Sequence, residues 1–289
     1  MRKIIKIMKI KLILMEKTRY LFKFYYIGHK KYYGSQRQPN YTTIEDCLIT
    51  ALQEKDYIVD IKQSGFEVAS RTDKFVSARG SAFSFTTNKI PILMEINSVL
   101  PKHIGLWAYI KVPLDYTSRF NAVFRHYKYI IPYSKNSLNI KIMKRACKAL
   151  EGHHDFKNFS KQDNEEEKTI RDLLLASMRI DGNFIIFDFK SRAFLRQQIR
   201  RMTAKIFEVG LGIINYEDFL DLFNSSKLYS YQPADPFGLI LWDINYGSNI
   251  QLTIDKKSKD RMDKYFREKE TKYSSKTKLL HLLQHNNIS

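Results

Sequence analysis

The sequence predicts an α+β fold in two halves, and three observations carry that prediction. Segments with strand and helix character follow one another in mixed order, without the strict strand–helix repeat of a barrel or a doubly wound sheet. Asp181-Gly182, a hairpin signal, joins two long β-forming runs and makes antiparallel pairing part of the fold. The 289 residues, 44% hydrophobic and 13% aromatic, suffice for one large domain or two intimate halves with a sizeable core. The halves meet near residues 130–140.

Taken in order, residues 19–27 (RYLFKFYYI) are aromatic and partly alternating, which predicts a strand. Residues 28–40 form a loop of Gly, polar and basic residues. Thr42-x-x-Glu45 reads as a capping box opening a helix with Ile44, Leu48, Ala51 and Leu52 on one face. Strands are expected over 65–71 and 80–87, flanking a turn with Thr72 and Asp73, and again over 106–112 and 123–133. A helix follows over 140–151, then the hairpin strands 170–180 and 183–190. Leu195, Ile199, Met202, Ile206 and Val209 recur at helical spacing, predicting a helix over 194–209 that Gly210 stops. A second helix covers 216–224, and 239–246 (LILWDINY) reads as a final buried strand. The chain then divides into a basic extension (1–18), a first half (19–135), a second half (136–249) and a basic tail (250–289) with a helix near 257–269.

The net charge is +19. An excess of Lys and Arg suits a polyanionic partner, because neutralising phosphates releases counterions. A Lys/Ile-rich composition gives the same excess with no such partner. The first 19 residues carry seven basic residues against Glu16, and residues 250–289 carry ten against five acids, yet the middle remains basic. The apolar N-terminal run is broken by Lys6, Lys9 and Lys11 and lacks a small-residue cleavage site, so it reads as an extension, or as the product of a start upstream of Met15. No segment has transmembrane length, which implies a soluble, cytoplasmic protein. Cys47 and Cys147 show no zinc spacing and read as core residues of a reducing compartment. No Gly-rich nucleotide loop occurs, so no nucleotide cofactor is implied.

Three basic-aromatic clusters suit RNA, since cations contact phosphates and rings stack on unpaired bases. They are Tyr32 to Gln38 with Gln36 and Arg37, Arg125 to Tyr129, and Arg192, Arg196, Arg200 and Arg201. Each could equally be snorkelling surface cations beside half-buried rings. Asp73, at a turn between apolar strands beside Arg71, is either an Asx cap or an ionised nucleophile. His153-His154, read on a helix, would diverge by about 100° and so suit a surface or capping role better than a metal site.

These pieces follow a familiar order. From about residue 19 to 247 the chain resembles the TruA family of tRNA pseudouridine synthases, in an archaeal-like or eukaryotic-like form. The resemblance rests on YYGSQRQPN, SRTDKFVSARG, RFNAVFRHYKYII from Arg119, LEGHHDFKNFS from Leu150, SRAFLRQQIRRM and PADPFGLILWDINY. It implies Asp73 as the catalytic aspartate, Tyr127 as the active-site tyrosine stacking on uracil, Arg200 as the partner of Asp73, and Leu241 as a pocket wall. Gln36, Arg37, Arg71, Arg119, Arg125, Arg192, Arg196 and Arg201 are the candidate RNA contacts. The family's fold implies two similar halves sharing one mixed, mainly antiparallel sheet with a central catalytic cleft. It also implies a homodimer, tRNA as substrate with uridines 38–40 of the anticodon stem-loop as targets, and neither metal nor other cofactor. Three departures stand out: Ser70 where the family has Gly, and Lys74-Phe75 where it has a small residue and then Gly. A Gly there supplies positive φ, so Phe75 is expected to alter the turn. The rival readings are a non-catalytic RNA-binding protein and a synthase acting on another RNA. A DNA-binding regulator lacks any helix-turn-helix or zinc signature.

Overall fold

The computed structural model describes residues 17–133, 138–161 and 168–284. The N-terminal extension up to residue 16, with Met15, and the half boundary at 135 lie outside the described residues. The elements run β1 (Thr18–Tyr26), α1 (Ile44–Glu54), α2 (Ile61–Ser64), β2 (Glu67–Val68), β3 (Ser77–Thr87), α3 (Leu93–Val99), β4 (Ile104–Val112), β5 (Phe124–Pro132), α4 (Ile140–Ala149), β6 (Gly152–Asp155), β7 (Ile170–Asp181), β8 (Phe184–Ser191), α5 (Gln198–Gly210), α6 (Tyr216–Asp221), β9 (Leu239–Asn245), β10 (Thr253–Ile254) and α7 (Lys256–Gln284).

The strands form one sheet in the order β10-β4-β1-β3-β9-β5-β8-β7-β6, with β2 on β3. All pairings are antiparallel except β3 with β9, where Ser77 faces Ile240 and Ala78 faces Leu241. This seam joins the two halves. β5 continues the sheet beyond this seam by pairing with β8 and β9. Each half packs helices on one face. Phe22 stacks on Phe83 and Phe85 at 5.0 and 5.1 Å, and the apolar stripe of α1 is buried in the same core. In the second half Phe187 and Phe189 are fully buried with Met202 and Ile206 of α5. Each such side chain stabilises the fold by about 1.5–3 kcal/mol. Across the seam Lys23 of β1, 3% exposed, donates to Asp243 of β9 at 2.6 Å and to the Ile244 carbonyl.

Several local expectations are corrected. The capping box is Thr43 with Asp46, one residue later than Thr42 with Glu45. The 65–71 strand shrinks to Glu67–Val68. Helix α5 starts at Gln198, because Gln197 sits at φ 59° and interrupts helical geometry before it. Residue 210 closes the helix without positive φ. That conformation falls to Gly212, whereas at Gly210 a Cβ would lie 2.5 Å from the Met143 sulfur and force that side chain to move. His153 and His154 stand on β6, not on a helix; His153 pairs with Asp172 at 2.7 Å and His154 lies 4.5 Å from the Phe223 ring. The tail continues as β10 and α7, which runs to Gln284, well past the expected 257–269.

Candidate active site

Asp73 lies in the loop between β2 and β3, and that loop is held from several sides. The Ser35 amide donates to the Thr72 carbonyl at 3.1 Å, and the Thr72 amide donates to the Ser35 hydroxyl at 2.8 Å. The Thr72 and Tyr26 hydroxyls lie 2.7 Å apart. Gly34 permits this approach: its φ is +89°, and a Cβ would sit 2.7 Å from the Thr72 carbonyl oxygen. Asp73 is thereby set on a backbone that cannot drift. Two residues later Phe75 adopts φ 71°, a left-handed conformation costly for a bulky residue.

The second half supplies the countercharge. Arg200, in the first turn of α5, donates from Nη1 to Asp73 Oδ2 at 2.8 Å and from Nε to the Ala234 carbonyl at 2.7 Å. The Ala234 amide returns a bond to the Arg200 carbonyl at 3.0 Å. The guanidinium, 11% exposed, is therefore fixed in direction before it meets the 35% exposed carboxylate. Tyr127 of β5 is 6% exposed, and its hydroxyl lies 2.9 Å from that of Ser70. Its ring meets Phe194 edge-on at 5.3 Å. Burial raises the Tyr127 phenol above its ordinary value, the nearby Asp73 carboxylate adds to this, and Ser70 and Arg125 oppose it. At neutral pH the phenol keeps its proton.

These groups open onto a cleft of about 970 Å³ lined by residues of both halves. Its cations, Arg37, Arg71, Lys74, Arg119, Arg125 and Arg196, outnumber Glu45, Glu67 and Asp73. Such a cleft attracts a polyanion and has room for an unstacked base.

A family model described as tRNA pseudouridine synthase matches residues 146–247. The tRNA pseudouridine synthase A of Methanosarcina acetivorans is 36% identical over 241 residues, which cover 82% of this chain and 88% of that protein. That of Archaeoglobus fulgidus is 35% identical over 238 residues, covering 82% and 86%. That of Methanosphaera stadtmanae is 32% identical over 255 residues, covering 86% and 91%. The chain belongs to the tRNA pseudouridine synthase family.

Within this synthase fold, Asp73 and Tyr127 line one cleft together with Gln36, Arg37, Arg71, Arg119 and Arg196, and Arg200 is joined to it through its bond to Asp73. Four other residues sit differently from expectation. Arg125 is 7% exposed and spends its guanidinium on the carbonyls of Ala69 at 2.9 Å, Arg119 at 2.7 Å and Arg192, so it braces the cleft instead of reaching out to phosphate. Arg201 is outside the lining and lies over the Tyr231 ring at 5.0 Å. Arg192 is exposed beside the lining residue Ala193 and gives its carbonyl to Arg125. Leu241 is fully buried, paired with Tyr127 and Ala78 in the sheet, and the apolar wall is made by Leu239 and Phe194 instead. Residues 239 and 241 share a sheet face, and the residue nearer the strand's start is the one at the cleft.

Sequence reasoning did not find Ser35, Ser70, Phe194, Leu239 or the Ala234 carbonyl. Ser70 was visible only as a departure from the family pattern. Glu45 was read as a cap, yet it lines the cleft and accepts the Arg37 amide at 3.1 Å. Burial raises its carboxyl above the usual range, against the pull of Arg37 and Arg71. No described helix is long and apolar enough to cross a membrane.

Proposed function

We propose that the chain isomerises uridine to pseudouridine at positions 38–40 of the tRNA anticodon stem-loop, with Asp73 as the key catalytic group. As a tRNA pseudouridine synthase it is an isomerase of tRNA uridines; the position and the residue roles are the finer reading. The contact between Asp73 and Arg200 at 2.8 Å, made from opposite halves of the sheet inside a cationic cleft, is the observation that carries it.

The reaction breaks the bond from N1 of uracil to C1′ of ribose and forms one from C5 to C1′. C5 loses a proton and N1 gains one, so there is no net redox change. Asp73 initiates the reaction by attack on the ribose, attack on the base or removal of a sugar proton. In each case Arg200 holds Oδ2 and fixes the carboxylate's orientation toward the substrate. Tyr127 stacks on the uracil and, with its phenol protonated, acts as a hydrogen-bond donor to the base, while the proton that C5 loses passes to water and N1 takes one up. Leu239 and Phe194 help exclude water from the cleaved state. Bringing the base out of its stack costs about a few kcal/mol, which backbone contacts from Gln36, Arg37, Arg71, Arg119 and Arg196 offset. A homodimer, with one tRNA touching both subunits, and a cytoplasmic location belong to the same reading through the family resemblance.

A second reading, an RNA-binding protein without turnover, is favoured by the φ of Phe75 alone. The Asp73–Arg200 pair favours the enzyme, since binding by itself has no use for it. Tritium release from an anticodon stem-loop tRNA labelled at uridine C5 separates the two. The wild type is expected to release tritium and Asp73→Ala to release none. Normal release by the variant removes Asp73 from the mechanism, and silence from both proteins with RNA still bound establishes the second reading.

A further inference from the structure

Helix α7 packs only its first half. Ser258 and Met262 are buried, Arg261 donates to the Tyr25 hydroxyl and the Asn97 carbonyl at 3.2 Å each, and the Tyr265 and Phe266 rings lie 6.2 and 5.2 Å from that of Tyr25. Lys269 then comes within electrostatic reach of His103, whose ring nitrogen is 2.9 Å from the Tyr32 hydroxyl. From residue 270 to 284 every position is exposed. At 1.5 Å per residue this exposed segment is about 22 Å long.

Its direction matters. Tyr25 is near the end of β1, and the loop that follows runs through Tyr32 to Gln36 and Arg37 at the cleft. The same strand end abuts the Asp73 loop, since a Cβ on Gly28 would strike the Phe75 carbonyl. Helix α7 therefore leaves the sheet at the end where the cleft opens. The stripe that packs, Ser258, Met262 and Tyr265, continues along the helix as Lys269, Lys272, Tyr273 and Lys276. The exposed segment has no carboxylate after Glu270, and none lies between Gly28 and Thr43, where Lys30 and Lys31 are exposed.

We propose that the exposed second half of α7 is a second RNA-binding site, at which Lys269, Lys272 and Lys276 hold the phosphate backbone of the substrate RNA outside the stem-loop in the cleft. The argument is charge complementarity: a predominantly basic face, with no carboxylate from residue 271 to 284, near a basic loop and beside a cleft rich in cations. This rests on the reading of the substrate as tRNA. The exposed leucines at 279, 280, 282 and 283 favour a different occupant, a second copy of the chain, which the test distinguishes.

The test uses the full chain with Lys269, Lys272 and Lys276 changed together to Gln, which preserves helix propensity. Binding of intact tRNA and of the isolated anticodon stem-loop is measured by fluorescence anisotropy across a salt series, and turnover by tritium release. The variant is expected to bind intact tRNA roughly tenfold more weakly, with a salt slope smaller by about two to three, while its turnover of the isolated stem-loop stays at the wild-type value. Equal slopes and affinities for the two proteins overturn the proposal. So does a variant whose loss is explained by dissociation into smaller species in sedimentation, which assigns the face to a second copy. If the triple variant misfolds, deletion of residues 271–289, which spares the packed turns, is read against the same outcomes. A wild type that neither binds nor converts tRNA would instead remove the function reading, a result distinct from failure of the arm.

Discussion

The rings of Phe75 and Phe237 pack at a tilt of 31° with centroids 4.4 Å apart, joining the Asp73 loop of the first half to the 236–238 turn of the second. That turn directly follows Ala234 and Asp235, the stretch that holds Arg200. The ring contact thus supports a positive φ at a position where glycine would meet no steric cost. Phe75→Gly relieves a left-handed strain of about 1–2 kcal/mol but gives up the ring contact, itself about 0.5–1.5 kcal/mol. Its stability is expected to stay near that of the wild type, whereas Phe237→Ala, which loses the contact and keeps the strain, is expected to be less stable. Urea unfolding of the two single variants and the double variant checks this. Additive effects in that cycle would mean the rings are not coupled.

Arg200 makes two directed bonds from one planar group, and a lysine offers only a point charge on a flexible stem. Arg200→Lys is expected to lower kcat on the order of 100-fold with KM changed far less, because the carboxylate loses its orientation while the RNA contacts remain. Single-turnover kinetics on a stem-loop substrate separate the two parameters. A rise in KM alone would place Arg200 in binding.

The Tyr127 phenol is held above its ordinary value of about 10 by burial. A raised value means that the proton stays on as the pH climbs, so the phenol remains a donor throughout the neutral and mildly alkaline range. The alkaline limb of the rate profile should therefore show no loss from this group below about pH 10. Tyr127→Phe should lower the rate at every pH in that range without moving the limb. A limb that shifts in the variant would show that Tyr127 titrates where the enzyme works.

Asp188 on β8 accepts from His126 at 2.7 Å, from Arg179 at 2.8 Å and from Lys128. Burial works against its charge, but the bonds and charges of Lys128 and His126 outweigh it, and the carboxyl lies below its ordinary value. A depressed folded-state value gives stability that is present above about pH 4, the unfolded value, and lost as the pH falls through the folded one. Asp188→Asn should be less stable than wild type at pH 7, with the gap closing in acid. Thermal unfolding between pH 2 and 7 measures this, and a gap independent of pH would contradict the linkage.

Strand positions were legible in the sequence because the buried strands are rich in aromatic residues, as in β1 and β5. Boundaries set by single side chains were not. Thr42 and Thr43 each stand three residues before an acid, and the choice fell to Thr43, whose hydroxyl is buried and bonds Asp46, which leaves Glu45 for the cleft. Leu195 fits the apolar stripe of α5 although the helix begins only after Gln197, because periodicity does not register one left-handed residue. Helix α3 has no side-chain cap, and the exposed second half of α7 has no buried stripe, so neither carries the usual signals. Asp73, Tyr127 and Arg200 were legible through the family pattern. The Ser70–Tyr127 contact and the clamp on Thr72 depend on pairings between distant segments that no local pattern encodes.

The parallel pairing of Ser77 and Ala78 with Ile240 and Leu241 has a consequence for timing during synthesis. Asp73 and its loop leave the ribosome well before the strand that borders them, which follows about 160 residues later in the chain. Until residues near 240 are free of the exit tunnel, β3 keeps an open edge beside the Asp73 loop, and Arg200 lacks the Ala234 carbonyl that aims it. A nascent chain can therefore build much of the first half of the sheet before the strand that seals the edge beside Asp73 is available.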